Sequence, residues 1–313
     1  MLQINQRPFQ STQLISLDKY FDEMVKLYDS KNFPKVMLLS GNKGIGKFTL
    51  IFHFLNYIYT KKEKNIYNLT KKIINTNSVF YKTVLNQSCV DVFFLQASES
   101  KNIKIDDIRY LKSVLSRTSL SNDPRFIIID EVEFLNINSA NALLKTLEEP
   151  SGNNFFILID NKQADLIPTI SSRCFKNNIY LNFEQKKKIN NYLVDLNKIN
   201  FLIDDTNFLT PGLLLKYSLL SIKYKIDIND NILSKLNKLL YSYKKNKDKD
   251  LLNMSFYLIN NFFYKLVKKN KNKTSFLLDL KLNITNNIND FTIYNLNLSS
   301  VLNSIDKKLK NVR

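Results

Sequence analysis

Histidine, cysteine, tryptophan and glycine are all scarce in this chain of 313 residues: one histidine, two cysteines, no tryptophan and five glycines. Cys89, Cys174 and His53 fall short of the closely spaced Cys/His sets that hold structural zinc, so no metal is expected. His53 lies within a helical pattern, where a packed or surface role suits it better than histidine-dependent catalysis. No apolar run approaches the roughly 18–20 residues of a membrane span. The opening "MLQINQRPFQSTQ" lacks the apolar core of a signal peptide, so a cytoplasmic protein without a membrane partner is expected. Arginine is rare as well. Six of the 46 basic residues are arginine and 40 are lysine. Where so lysine-rich a chain keeps an arginine, a planar bidentate guanidinium is a candidate requirement.

The formal charge is +18 and 44% of the residues are hydrophobic. That composition supports a folded protein with two or three domains. The positive charge suits a polyanionic partner such as DNA. The chain is also rich in Lys, Asn and Ile throughout, so charge alone does not decide between a partner and a compositional bias. Glycine is more telling. Gly41, Gly44 and Gly46 fall within six residues, and only Gly152 and Gly212 lie elsewhere. A turn that cradles phosphate needs positive φ and close backbone approach, which glycine permits.

That cluster lies in "LLSGNKGIGKFTLIF". The apolar run Val36–Ser40 precedes it and a helical pattern follows, the context of a phosphate-binding loop. Gly41 through Gly46 and Lys47 keep the Walker A spacing, but Phe48 stands where the pattern has Ser or Thr. Further strands are expected at "VDVFFLQ", "RFIIIDEVEFL", "NFFILIDN" and "NNIYLNF", with helices between them. The helix in "SANALLKTLEEP" is read with Ser139 as its N-cap. Continuous apolar strands alternating with helices predict a parallel sheet covered on both faces. Lys61 to Gln87 reads as helix fragments and loop. Beyond Phe183 the pattern is helical only, broken by Lys/Asn tracts that read first as solvated turns. Asp130 and Glu131 end an apolar strand as in a Walker B motif, where the Asp would hold Mg²⁺ and the Glu would orient water.

The run "DEVEFLNINSANALLKTLEEPSGNNFFILIDNKQADLIPTISSRC" resembles bacterial DNA polymerase III clamp-loader subunits of the AAA+ superfamily. With "NIKIDDIRYL" and the altered loop, the chain is most similar to the delta-prime branch of that family. The likeness is strong over residues 8–181 and only architectural beyond. It implies a RecA-like α/β domain over 1–181, a small helical lid over 182–222 and an all-α collar over 223–313. It also implies a place in a hetero-pentamer with gamma/tau and delta subunits, which loads a sliding clamp onto primed DNA during replication. Branch members usually lack productive ATPase activity, so no independent catalysis is expected. Arg173, in "SSRC", would be presented in trans to ATP held by a neighbouring subunit.

Several departures from the family bear on these expectations. A zinc module common between the first helix and second strand has only Cys89 here. The lid arginine that contacts nucleotide in hydrolysing relatives falls within "TPGLLLKYS", where leucine replaces it. The first sensor falls at Asp160 or Asn161. Gly41, Gly44, Gly46, Lys47, Asp130 and Glu131 therefore form a degenerate nucleotide site. No cofactor is required, although the site leaves room for weak ATP or ADP binding. The alternative is a hydrolysing gamma/tau-type motor subunit.

Overall fold

A computed structural model describes residues 8–96, 103–115, 123–197, 209–227 and 229–310. The described residues fall into two compact units. The first runs to residue 197 and includes 209–213; the second begins at Leu214.

The first unit is built on five strands: β1 (Val36–Ser40), β2 (Val92–Gln96), β3 (Arg125–Asp130), β4 (Asn154–Asp160) and β5 (Phe175–Asn178). They form one sheet in the order β2-β3-β4-β1-β5, with every pairing parallel. Strand alternation divides each apolar run between two cores. Met37, Leu39, Phe126, Ile128, Ile157 and Ile159 pack into one cluster with Phe21, Phe52 and Phe54. Val36, Leu38, Ile127, Ile129, Phe156 and Leu158 face the other, with Leu111, Leu143 and Ile170. Both faces are thus covered, which is why the central strands β1, β3 and β4 are apolar along most of their length.

The helices on these faces are α1 (Asp18–Asp29), α2 (Lys47–Thr60), α3 (Val79–Leu85), α4 (Ile105–Leu115), α5 (Ile137–Glu148) and α6 (Pro168–Ser171), and α7 (Phe183–Asn197) follows the last strand. The segment 61–87 holds only α3 as regular helix, capped by Ser78. His53 is wholly buried in α2, where burial lowers its pKa to about 4. Its Nε2 lies 2.9 Å from the Ser11 carbonyl, so Nε2 carries the proton and Nδ1 accepts from Tyr67, 3.0 Å away.

Two local expectations change. The N-cap of α5 is Asn136, whose side chain accepts from Ser139 N, while Ser139 Oγ donates to Ile103 O at 2.8 Å. The fifth strand begins at Phe175 rather than Asn177. Ile179 follows it and donates its N–H to Ser40 O, so the run pairs with β1 earlier than its apolar residues suggest.

α8 (Pro211–Lys223) starts in the first unit, and its residues from Leu214 on belong to the second. The second unit also contains α9 (Ile232–Asn246), α10 (Lys249–Lys269), α11 (Thr274–Ile293) and α12 (Leu298–Lys310). Leu236, Leu240, Ile259, Phe263, Ile284, Ile288 and Ile305 meet in its core. Residues 198–208 of the expected lid lie outside the described residues. Among the described residues no helix is long and apolar enough to cross a membrane.

Candidate nucleotide site and arginine corner

The glycine loop leaves the C-terminal end of β1, between β4 and β5 in the sheet. Gly44 and Gly46 take φ of +84° and +96°, so two of the three clustered glycines adopt the conformation that favours this residue. Gly41 N donates to the Asp160 carbonyl at 3.1 Å, anchoring the loop to β4. Lys47 is 3% exposed. Its Nζ donates to the loop's own carbonyls, Gly41 O at 2.5 Å and Asn42 O at 3.0 Å. Burial pulls its pKa down to about 8, against the attraction of Asp130, Glu133 and Asp160.

Phe48 belongs to an aromatic cluster. Its ring lies 5.1 Å from Phe9 in an edge-to-face arrangement and 5.5 Å from Phe94, and Phe9 also packs edge-on against Phe52. Such pairs are favourable beyond the area they bury. The position that supplies a metal-binding hydroxyl in the Walker A pattern is therefore part of an apolar contact.

The acidic residues after β3 also have protein partners. Asp130 Oδ1 accepts from Glu131 N at 2.8 Å and from Asn161 Nδ2 at 3.0 Å. Burial raises the Asp130 pKa, and the Asn161 hydrogen bond works against that rise. Glu131 is paired with Lys43, Nζ to Oε1 at 2.6 Å. Glu133, buried and with a raised pKa for the same reason, accepts from Asn161 N. Of the two candidates for the first sensor, Asn161 is the one that faces Asp130. Asp160 instead accepts from Ser40 Oγ at 2.6 Å and from Lys162 N at 2.9 Å.

Sequence reasoning missed Lys43, Thr210 and Gly212. Thr210 Oγ1 donates to Lys43 O at 2.6 Å, and Gly212 N donates to Gly44 O at 2.8 Å. The start of α8 thus lies directly on the loop. Gly212 carried a signal, being one of only two glycines outside the loop. Position 48 has no hydroxyl, Glu131 is held by a cation, and Lys47 is turned onto backbone carbonyls. Cys89 is half-buried between α3 and β2. Among the described residues no group of three or more His, Cys, Asp or Glu side chains is placed to hold a metal.

Arg173 is not part of this constellation. It follows α6, where its Nε donates to Glu148 Oε1 at 2.7 Å and its Nη2 reaches the same oxygen. Nη1 donates to Thr169 O at 2.8 Å. Glu148 ends α5, so "ANALLKTLEEP" and "IPTISSRC" meet through this ion pair. The Arg173 side chain remains 31% exposed.

A parallel sheet in this strand order, with a glycine loop leading from β1 into α2 and carboxylates closing β3, defines a RecA-like P-loop domain of the AAA+ type. The chain belongs to the family described as DNA polymerase III, delta subunit, whose model matches residues 17–182, more than half its length. Among curated relatives, the DNA polymerase III subunit delta' of Pseudomonas aeruginosa is 40% identical over 85 residues, which cover 27% of this chain and 26% of that protein. The subunit delta' of Buchnera aphidicola subsp. Schizaphis graminum is 28% identical over 188 residues, 58% of this chain and 53% of that protein. The subunit gamma of the same organism is 33% identical over 159 residues, 50% of this chain and 40% of that protein. The matched parts thus span from about a quarter to about half of these relatives' lengths. The family and the two relatives named delta' agree with the delta-prime likeness of the motifs.

Proposed function

We propose that this chain is a non-hydrolysing, delta-prime-type subunit of a clamp loader. It would work in a ring of five with gamma/tau and delta subunits that loads a sliding clamp onto primed DNA in the cytoplasm. Residues 182–222 would serve as lid and 223–313 as the collar that joins the ring. One observation carries this reading: the side chains at three positions that would serve Mg-ATP are engaged within the protein. Phe48 is in an aromatic cluster, Lys47 is on Gly41 O and Asn42 O, and Glu131 is on Lys43. ATP or ADP would at most bind weakly, without turnover.

Arg173 would act on another subunit's nucleotide. A guanidinium supplied in trans stabilises charge on the transferring phosphoryl group, which lysine matches in charge but not in its planar fork. The Glu148 and Thr169 contacts support this role by holding the side chain in one orientation at a partly exposed corner. The second reading is a hydrolysing gamma-type subunit. It is favoured by the gamma-named relative and by the retained Lys47, Asp130 and Glu131.

The deciding experiment measures Mg²⁺-dependent ATP hydrolysis by the chain alone and after mixing with gamma- and delta-type subunits. The chain alone should show background turnover that Lys47→Ala leaves unchanged, while the mixture should be active. A rate in the isolated chain that Lys47→Ala abolishes would establish the motor reading instead.

A further inference from the structure

Lys43 occupies a position that the Walker A pattern leaves unspecified. Its ammonium nevertheless reaches across to the turn after β3 and pairs with Glu131, whose side chain is only 8% exposed. Glu131 itself is left-handed, at φ 58° and ψ 43°. That conformation is uncommon for a glutamate and persists where the surroundings over-determine it.

The adjoining backbone is held from a third direction. Thr210 Oγ1 donates to the Lys43 carbonyl, and Gly212 N to the Gly44 carbonyl. There is no room to spare at this junction. A Cβ on Gly44 would lie 2.6 Å from Thr210 Oγ1, and one on Gly212 would lie 2.9 Å from Gly44 Cα. Residues 43 and 44 are therefore where three elements distant in sequence meet: the loop, the turn after β3 and the start of α8.

We propose that this junction is a nucleotide-independent brace, with Lys43 as the positioning residue that ties the glycine loop to the Glu131 turn. The proposal rests on the non-hydrolysing reading and deepens it. A ligand shifts a conformational equilibrium only through contacts that differ between the two states. Here the loop's own cation neutralises Glu131, and the loop's own carbonyls accept from α8. A nucleotide arriving at this site finds the three elements already joined, so their joining does not depend on it. The same pairing withdraws Glu131 from orienting water.

The test is amide hydrogen exchange on the full-length chain. Four amides report on the brace: Gly41 N on Asp160 O, Glu131 N on Asp130 Oδ1, Phe134 N on Glu131 O and Gly212 N on Gly44 O. Lys43→Met and Glu131→Gln should each speed exchange roughly tenfold at Gly41, Glu131 and Phe134 together, because opening either partner frees both segments. The charge-swapped pair Lys43→Glu with Glu131→Lys should recover part of the protection. Millimolar Mg-ATP should leave the wild-type pattern unchanged. Faster exchange confined to the substituted segment would overturn the brace, as would strong protection of the wild-type loop by Mg-ATP. Turnover measured on the same samples separates the two ideas. Hydrolysis by the wild type would reject the non-hydrolysing reading, whereas uncoupled exchange without hydrolysis would reject the brace alone.

Discussion

The two polar corners of the first unit differ in where their charge is directed. At the glycine loop, Lys47 is buried and bound to its own loop, and Glu131 is neutralised by Lys43. At the end of α6, Arg173 is held by Glu148 and Thr169 O but keeps about a third of its side chain in solvent. Both corners are ion-paired, but at the loop the Walker A cation Lys47 is enclosed, whereas at the end of α6 the guanidinium itself is the partly exposed group. Under the proposed function, the chain would keep the outline of a nucleotide site whose side chains are committed to one another, while Arg173 would serve a partner.

The largest effect should come from the open corner. In an assembled complex, Arg173→Ala should leave folding and assembly intact while lowering DNA-stimulated ATPase and clamp loading. An arginine finger is worth about 10³–10⁵ in rate at the site it serves. The loss for the whole complex should be partial, because other subunits would keep their own fingers. Arg173→Lys should recover little, since it restores the charge without the bidentate geometry. If a correctly assembled Arg173→Ala complex loads clamps normally, the corner is structural and the contrast with the loop disappears.

A smaller effect, on stability, is expected at the closed corner. Gly44→Ala puts a side chain at φ +84° and 2.6 Å from Thr210 Oγ1. Strain and overpacking together should cost about 2–4 kcal/mol in urea unfolding of the full chain. Adding Thr210→Ala should recover part of the loss by removing the clashing hydroxyl. A Gly44→Ala protein as stable as wild type would mean that the start of α8 does not rest on the loop in solution.

Much of this contrast was legible in the residues themselves. Strand, glycine turn and helix over 36–60 follow from periodicity and glycine placement, and "SSRC" marked Arg173 among rare arginines. The partners of Lys43 and Asp160 were not legible. Lys43 meets Glu131 across 88 positions in sequence, and nothing local distinguishes that lysine from 39 others. Whether Asp160 or Asn161 faces Asp130 depends on the alternation of β4 and the turn that ends it. Composition does not carry that information. The β5 boundary shifted because "FKNN" has no apolar pattern, although its backbone pairs with β1.

The smallest effect should come from Lys47, and its pH dependence tests whether this corner is really closed. Lys47→Met removes a buried charge and leaves two carbonyls short of a donor. These opposing terms should keep the change within about 1 kcal/mol at pH 7. The folded pKa of Lys47, about 8, lies below its ordinary value of 10.5. Between those values the unfolded chain binds more protons, so Lys47 makes the fold more stable as pH rises. Moving from pH 7 to pH 9 should therefore favour wild type over Lys47→Met by about 1.4 kcal/mol. Burial raises the pKa of both Cys89 and Cys174, which works in the opposite direction. They are present in both proteins, so the difference between wild type and variant isolates the lysine. A difference that does not change with pH would mean that the Lys47 ammonium is solvated, leaving the loop free to meet a phosphate.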